Sequence, residues 1–140
     1  MEEQITWINY MGTGQSKTIT VYPFTAEIVN DLVFDNIPHG NYRIYRRYIE
    51  SNRYMYNVIY VGRVANRTSD RGLKDRLLEH IGEWTGELYF ECNRENSALA
   101  AYRHECNDYH GWKSVGQAIY NDYHPAKIPN FTESCPICGV

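Results

Sequence analysis

GNYRIYRRYIESNRYMYNVIYVGRVANRTSDRGLKDRLLEH, residues Gly40 to His80, decides the architecture. β-Formers dominate on both sides of Glu50-Ser51-Asn52-Arg53, which supplies a turn, so the stretch opens as a long hairpin of two tyrosine-rich strands. An amphipathic helix follows it. Asp70 or Ser69 can cap this helix, Leu73, Leu77, Leu78 and Ile81 form its buried stripe, and Gly82 stops it. Arg76 and His80 lie four apart and project from one face beside that stripe. Nine of the chain's fourteen Lys and Arg residues fall between Arg43 and Arg76 against three acids, a local formal charge of +6 in a chain of −3. This basic face, with Arg46, Arg47, Arg67, Arg71 and Lys74, admits a phosphate-bearing partner despite the acidic overall balance. If the hairpin packs on the same side of the helix, Tyr42 and Tyr60 meet Arg76 and His80. A guanidinium, an imidazole and phenols around one cleft can hold a phosphodiester and move a proton.

Upstream, residues 1–39 read as an extension on the front of this unit. Lys17–Tyr22 (KTITVY) is a short strand broken by Pro23, and Thr25 can cap a helix over Ala26–Phe34 that covers one sheet face. Gly12-Thr13-Gly14-Gln15-Ser16-Lys17 lacks the spacing of a phosphate-binding P-loop.

Downstream, Glu87–Cys92 (ELYFEC) is a third strand with Leu88, Phe90 and Cys92 on one face. Asn96 or Ser97 caps a second long helix that runs to about His110 and ends at Gly111. Ala98, Leu99, Tyr102, Cys106 and Tyr109 make its buried stripe, with Glu105 at the edge and Ala101 one turn before it. Small residues beside a carboxylate leave room for a hydrated Mg²⁺, which takes one or two carboxylates plus phosphate oxygens. The tail, residues 123–140, carries Cys135-Pro136-Ile137-Cys138, and Cys106 and His110 sit four apart on the preceding helix. These make a Cys₃His set suited to tetrahedral Zn²⁺, with His124 competing for the histidine place; free core or tail thiols and a redox pair are the other uses open to these cysteines. Such a metal would pin a loop-rich C-terminus to the second helix.

These residues together resemble the GIY-YIG endonucleases. Gly40-Asn41-Tyr42 stands where that family has GIY, Tyr60-Val61-Gly62 stands for YIG, and Arg76-Leu77 with His80 is similar to the motif of its first helix. Glu105 in ALAAYRHE resembles the helix-borne glutamate of the family's single divalent metal, and Asn121 or Asn130 its late asparagine. The chain departs from the pattern in Asn41, in the length of the hairpin, and in Asn66–Gly72, which reads as an insertion. The resemblance implies a metal-dependent cut in DNA. Tyr42, or failing that Tyr60, is the base toward water, its phenol acidified by Arg63 and Arg76. Arg76 neutralises the phosphate oxygens, His80 positions or relays a proton, and Glu105 holds Mg²⁺ or Mn²⁺.

The expected architecture is α/β (α+β): one domain over 1–140, with a small, mainly antiparallel three-stranded sheet flanked by helices. Its nuclease-like core spans 40–122, followed by the zinc-pinned tail. At 140 residues and 43% apolar content the chain can bury a core, and no apolar run approaches the roughly 18 residues of a membrane span. The expected setting is soluble and cytoplasmic, with DNA as partner and both monomer and homodimer open. Two other classes compete. A non-catalytic nucleic-acid-binding module would use Tyr45, Tyr48, Tyr54 and Tyr56 as stacking faces. A zinc-stabilised protein-interaction domain would use the hairpin as an adhesive edge.

Overall fold

The computed structural model describes residues 2–65, 72–117, 119–129 and 131–140. Among these, five strands and three α-helices alternate: β1 Glu3–Trp7, β2 Lys17–Pro23, α1 Ala26–Leu32, β3 Gly40–Glu50, β4 Arg53–Val64, α2 Leu73–Glu79, β5 Glu87–Arg94 and α3 Ala98–Ser114. The strands form one antiparallel sheet in the order β1-β2-β5-β3-β4. The expected three strands are one end of it, β5-β3-β4. The sheet is wider because β2 pairs with β5 through Tyr22–Phe90 and Pro23–Tyr89, and β1 pairs with β2 from Glu3–Val21 to Trp7–Lys17. An acidic start masked β1, although Ile5 is buried while Gln4 and Thr6 bond side chain to side chain with Thr20 and Thr18.

Both sheet faces are covered. Tyr42, Ile44 and Ile59 pack with Val29 of α1 and Leu73 and Leu77 of α2; Tyr45, Val58 and Val61 pack with Tyr109 and Trp112 of α3. Thr25 caps α1 by accepting from the Ile28 amide at 3.2 Å, and Ser97 caps α3 by accepting from the Ala100 amide at 3.0 Å. Helix α3 does not stop at Gly111; it continues to Ser114. Gly111 is a packing position, since a Cβ there would lie 2.8 Å from the Met11 sulfur of the short 3-10 turn Tyr10–Gly12. The N-cap position of α2 is Gly72, and the proposed caps Ser69 and Asp70 lie outside the described residues, as do Arg67, Arg71 and Asn130.

Two features of the hairpin set up the cleft. Ile44 is registered with Tyr60 but Tyr45 with Val58, so Ile59 is an extra residue in β4. A bulge of this kind turns two successive side chains toward one face, and both Ile59 and Tyr60 pack in the α2-side cluster. Tyr42 is registered with Gly62, and a Cβ on Gly62 would run into the Tyr42 hydroxyl. The glycine lets the phenol lie across β4. This strand is the sheet's last, and its open edge is covered by Gln117, Tyr120 and Asn121: Tyr120 N–H donates to the Ile59 carbonyl, and the Gln117 and Asn121 side chains pair with Val58 and Val61 backbone. No helix of the described residues is long and apolar enough to cross a membrane.

Candidate active site and metal centre

At the β4 edge, Tyr42, Tyr60, Arg63, Arg76 and Glu105 line one cavity of about 210 Å³. Three elements meet there: the hairpin supplies the tyrosines and Arg63, α2 supplies Arg76, and α3 supplies Glu105 from the other side of the sheet. The Tyr42 and Tyr60 rings stack at 6.2 Å and 23°. His80, just past the end of α2, places Nε2 at 2.8 Å from the Tyr42 hydroxyl and Nδ1 at 2.7 Å from Glu83 Oε2. A carboxylate can only accept, so Nδ1–H donates to Glu83, and Nε2 accepts from the Tyr42 O–H. The chain Tyr42–His80–Glu83 is therefore directional.

Electrostatics correct one expectation. Burial pushes the Tyr42 phenol well above its ordinary 10.0, and the Arg76 guanidinium within hydrogen-bonding reach recovers only part of the shift. Tyr60 is raised for the same reason. Neither phenol is acidified by its cations in this site, because removing the ring from water outweighs the nearby positive charge. Burial also lowers His80 below 6.5 against the opposing pull of Glu83, keeping the imidazole neutral and its Nε2 lone pair open to a proton. Glu105 is raised by burial, with Arg63 opposing. Its Oε1 accepts from Arg63 Nη1 at 2.5 Å, while Arg63 Nη2 donates to the Ala126 carbonyl at 2.5 Å. Among the described residues Glu105 is the one carboxylate on this cavity, and Arg63 already pairs with it.

Not every expected nucleic-acid contact faces this cleft. Arg46 does lie on the Tyr42 side, donating to the Thr85 carbonyl and to the Tyr120 hydroxyl at 2.8 Å. Arg47 points to the opposite face, where Glu3 and Glu87 both pair with it. Lys74 is 7% exposed and ties α2 to the α1 region through Asp35 and the Asn30 carbonyl, so it is a structural ammonium and not a phosphate contact. Asn121 spends both ends of its amide on the Val61 backbone. Asn41, the departure within the first motif, is buried and donates to the Gly62 and Ala101 carbonyls, joining the hairpin to α3.

The tail carries a second cluster. His110, His124, Cys135 and Cys138 place one ligand atom each within 4.8 Å of one another, a group that could hold a metal such as zinc. Tetrahedral Zn²⁺ with bonds of about 2.0 Å to nitrogen and 2.3 Å to sulfur separates its ligand atoms by about 3.3 to 3.8 Å. The His110–His124 Nε2 atoms stand 3.1 Å apart and Cys138 Sγ stands 3.4 Å from His124 Nε2. His124 Nδ1 donates to the Pro125 carbonyl at 3.0 Å, which leaves its Nε2 lone pair for a metal. The Cys135–Cys138 knuckle is shaped by Ile137 N–H on Cys135 Sγ and Gly139 N–H on the Cys135 carbonyl. Burial would raise the Cys135 thiol, but the Cys138 and Ile137 amides lead the groups that bring it down to about 6.

The set is thus His₂Cys₂ and not the expected Cys₃His. Cys106 faces the core beside Tyr102, and burial pushes its thiol up to about 12, while the extended segment after Asn121 delivers His124 to the fourth place. Sequence reading also missed Glu83 and Trp84. A Glu three residues after a helix-end His was the available signal for the first, and a Trp beside it for the second. No family model, no curated protein and no solved structure matches this chain.

Proposed function

We propose that the chain is a metal-dependent endonuclease of the GIY-YIG kind that hydrolyses phosphodiester bonds in DNA. The observation that supports this reading most is the single cavity shared by Tyr42, Tyr60, Arg63, Arg76 and Glu105. Guanidinium groups from two elements suit the non-bridging oxygens of a phosphodiester, whose charge rises in the transition state. The proton path follows from the hydrogen bonds. As water attacks phosphorus, Tyr42 oxygen takes its proton while passing its own to His80 Nε2, and Glu83 stabilises the imidazolium. This relay needs no free phenolate, so it tolerates a phenol held above its ordinary pKa. Glu105 would hold Mg²⁺ or Mn²⁺, which would supply positive charge for the departing oxygen.

The His₂Cys₂ group is a structural zinc site in this reading. It fastens the segment holding His124 next to Ala126, which lines the cleft. The test is nicking of supercoiled plasmid in Mg²⁺ by the parent, Arg76→Ala and Glu105→Gln. The parent should nick, and each variant should lose about 10² or more in rate. A parent without Mg²⁺-dependent nicking, or variants that nick at the parent's rate, would overturn the proposal.

A further inference from the structure

A groove of about 790 Å³ opens beside the small cavity and shares Tyr60, Glu105 and Ala126 with it. Its aromatic walls have no part in the proton relay. Trp84 lies 5.0 Å from the Tyr60 ring and 5.2 Å from His80, so a continuous row of rings leads from the cleft outward. Tyr120 and Tyr123 complete the walls, and Tyr123 is 85% exposed with its face uncovered. Arg46 lies 5.4 Å from the Tyr120 ring centroid and bonds its hydroxyl, which holds that ring in place.

In a continuous duplex, bases present only their edges; their faces are covered by neighbouring bases. Aromatic faces next to a phosphate site therefore match a base that has left the stack. The rim separates the two ends of a nucleotide by charge. Arg63 and Arg76 lie on the cavity side, whereas Glu83 and Asp122 line the groove and would repel a phosphate there. Carboxylates do accept from the exocyclic amino groups of cytosine, adenine and guanine. From this geometry we infer that the groove binds the unpaired nucleobase flanking the scissile phosphate, so that the preferred substrate is single-stranded or locally unpaired nucleic acid. The choice of scissile phosphate rests on the phosphodiesterase reading above; binding of the base does not.

Trp84 reports on the groove directly. Trp7 and Trp112 pack against each other in the core on the α3 side, so Trp84→Phe supplies the background signal. Short single-stranded DNA, the same sequence as RNA, and its blunt DNA duplex are titrated in Mg²⁺-free buffer. Saturable quenching of Trp84 by a single strand at least tenfold tighter than by the duplex is expected, and Tyr123→Ala should weaken it about fivefold or more. Comparison of the DNA and RNA arms identifies the sugar that is preferred. Equal affinity for duplex and single strand, no Trp84 response, or a Tyr123→Ala variant that binds like the parent would overturn the inference. Quenching without Mg²⁺-dependent cleavage of the same strand would sink the nuclease reading and leave the groove standing. Cleavage of duplex without quenching would do the reverse.

Discussion

Tyr42 is 1% exposed, and its ring lies over Gly62 with the hydroxyl committed to His80. In the proposed relay, that placement makes the imidazole, and not the phenol, the group whose charge sets the pH response. Burial holds His80 below 6.5, so it stays neutral through the neutral range and gains a proton only as pH falls further. Since the folded state takes that proton less readily than the unfolded one, stability contributed by neutral His80 is full above about 6.5 and lost as pH falls through the lower folded value. Nicking should fall over the same window, because a protonated Nε2 cannot accept from Tyr42. Glu83 opposes the lowering, so Glu83→Gln should move the acid limb of the rate profile to lower pH and reduce the plateau about tenfold, by analogy with carboxylates that orient metal-bound histidines. A profile superimposable on the parent's would remove Glu83 from the relay. The fold brings Tyr42, Tyr60, Arg76 and Glu105 to one cavity, and all four were singled out in the sequence through the resemblance. Glu83 was not, since a carboxylate three residues after a histidine is common on solvated helix ends, and Lys74 misled because a charge beside an apolar stripe reads as exposed.

The elements show why order was readable and detail was not. Hairpin, third strand and both major helices follow from β-former runs and apolar periodicity, and α3 also from its Ser97 cap. The Ile59 bulge leaves no such trace, yet it aims Tyr60 into the cleft beside Tyr42. Gly111 carried the signal of a helix stop, but its lack of Cβ is used for Met11 instead. In the tail, the CxxC knuckle was legible, and the choice between one histidine and two depended on where the chain places His124 after Tyr120 and Asn121 bond to β4. If zinc fastens this segment, its removal should be felt as stability. A contribution of about 3 kcal/mol would move Tm by about 10 °C in a chain of this length. Chelator in Mg²⁺-free buffer should produce such a drop with loss of one zinc per chain, and Cys138→Ser should melt at the lower temperature with or without chelator. A parent that holds no zinc and melts unchanged in chelator would rule out the site.

At the scale of the whole molecule, one five-stranded sheet separates two helical layers, and the candidate cleft sits where they meet around its β4 edge. That position lets Arg76 and Glu105 reach a common cavity although α2 and α3 cover opposite faces. The net charge of −3 hides a local excess of Lys and Arg between Arg43 and Arg76, but in the fold Arg43, Arg47, Arg63, Lys74 and Arg76 each pair with an acid. Few guanidinium groups remain on the cleft side, so the salt dependence of DNA binding should be modest, with a slope of log K against log salt of about −2 to −3. A slope near zero would point to a partner other than a phosphate backbone. The central claim is tested most directly by Tyr42→Phe, which keeps the ring over Gly62 and removes one oxygen. With Mg²⁺ and a defined single-stranded DNA, the single-turnover cleavage rate should fall by about 10² or more while Tm stays within a few degrees of the parent. Cleavage within twofold of the parent's rate would contradict the account.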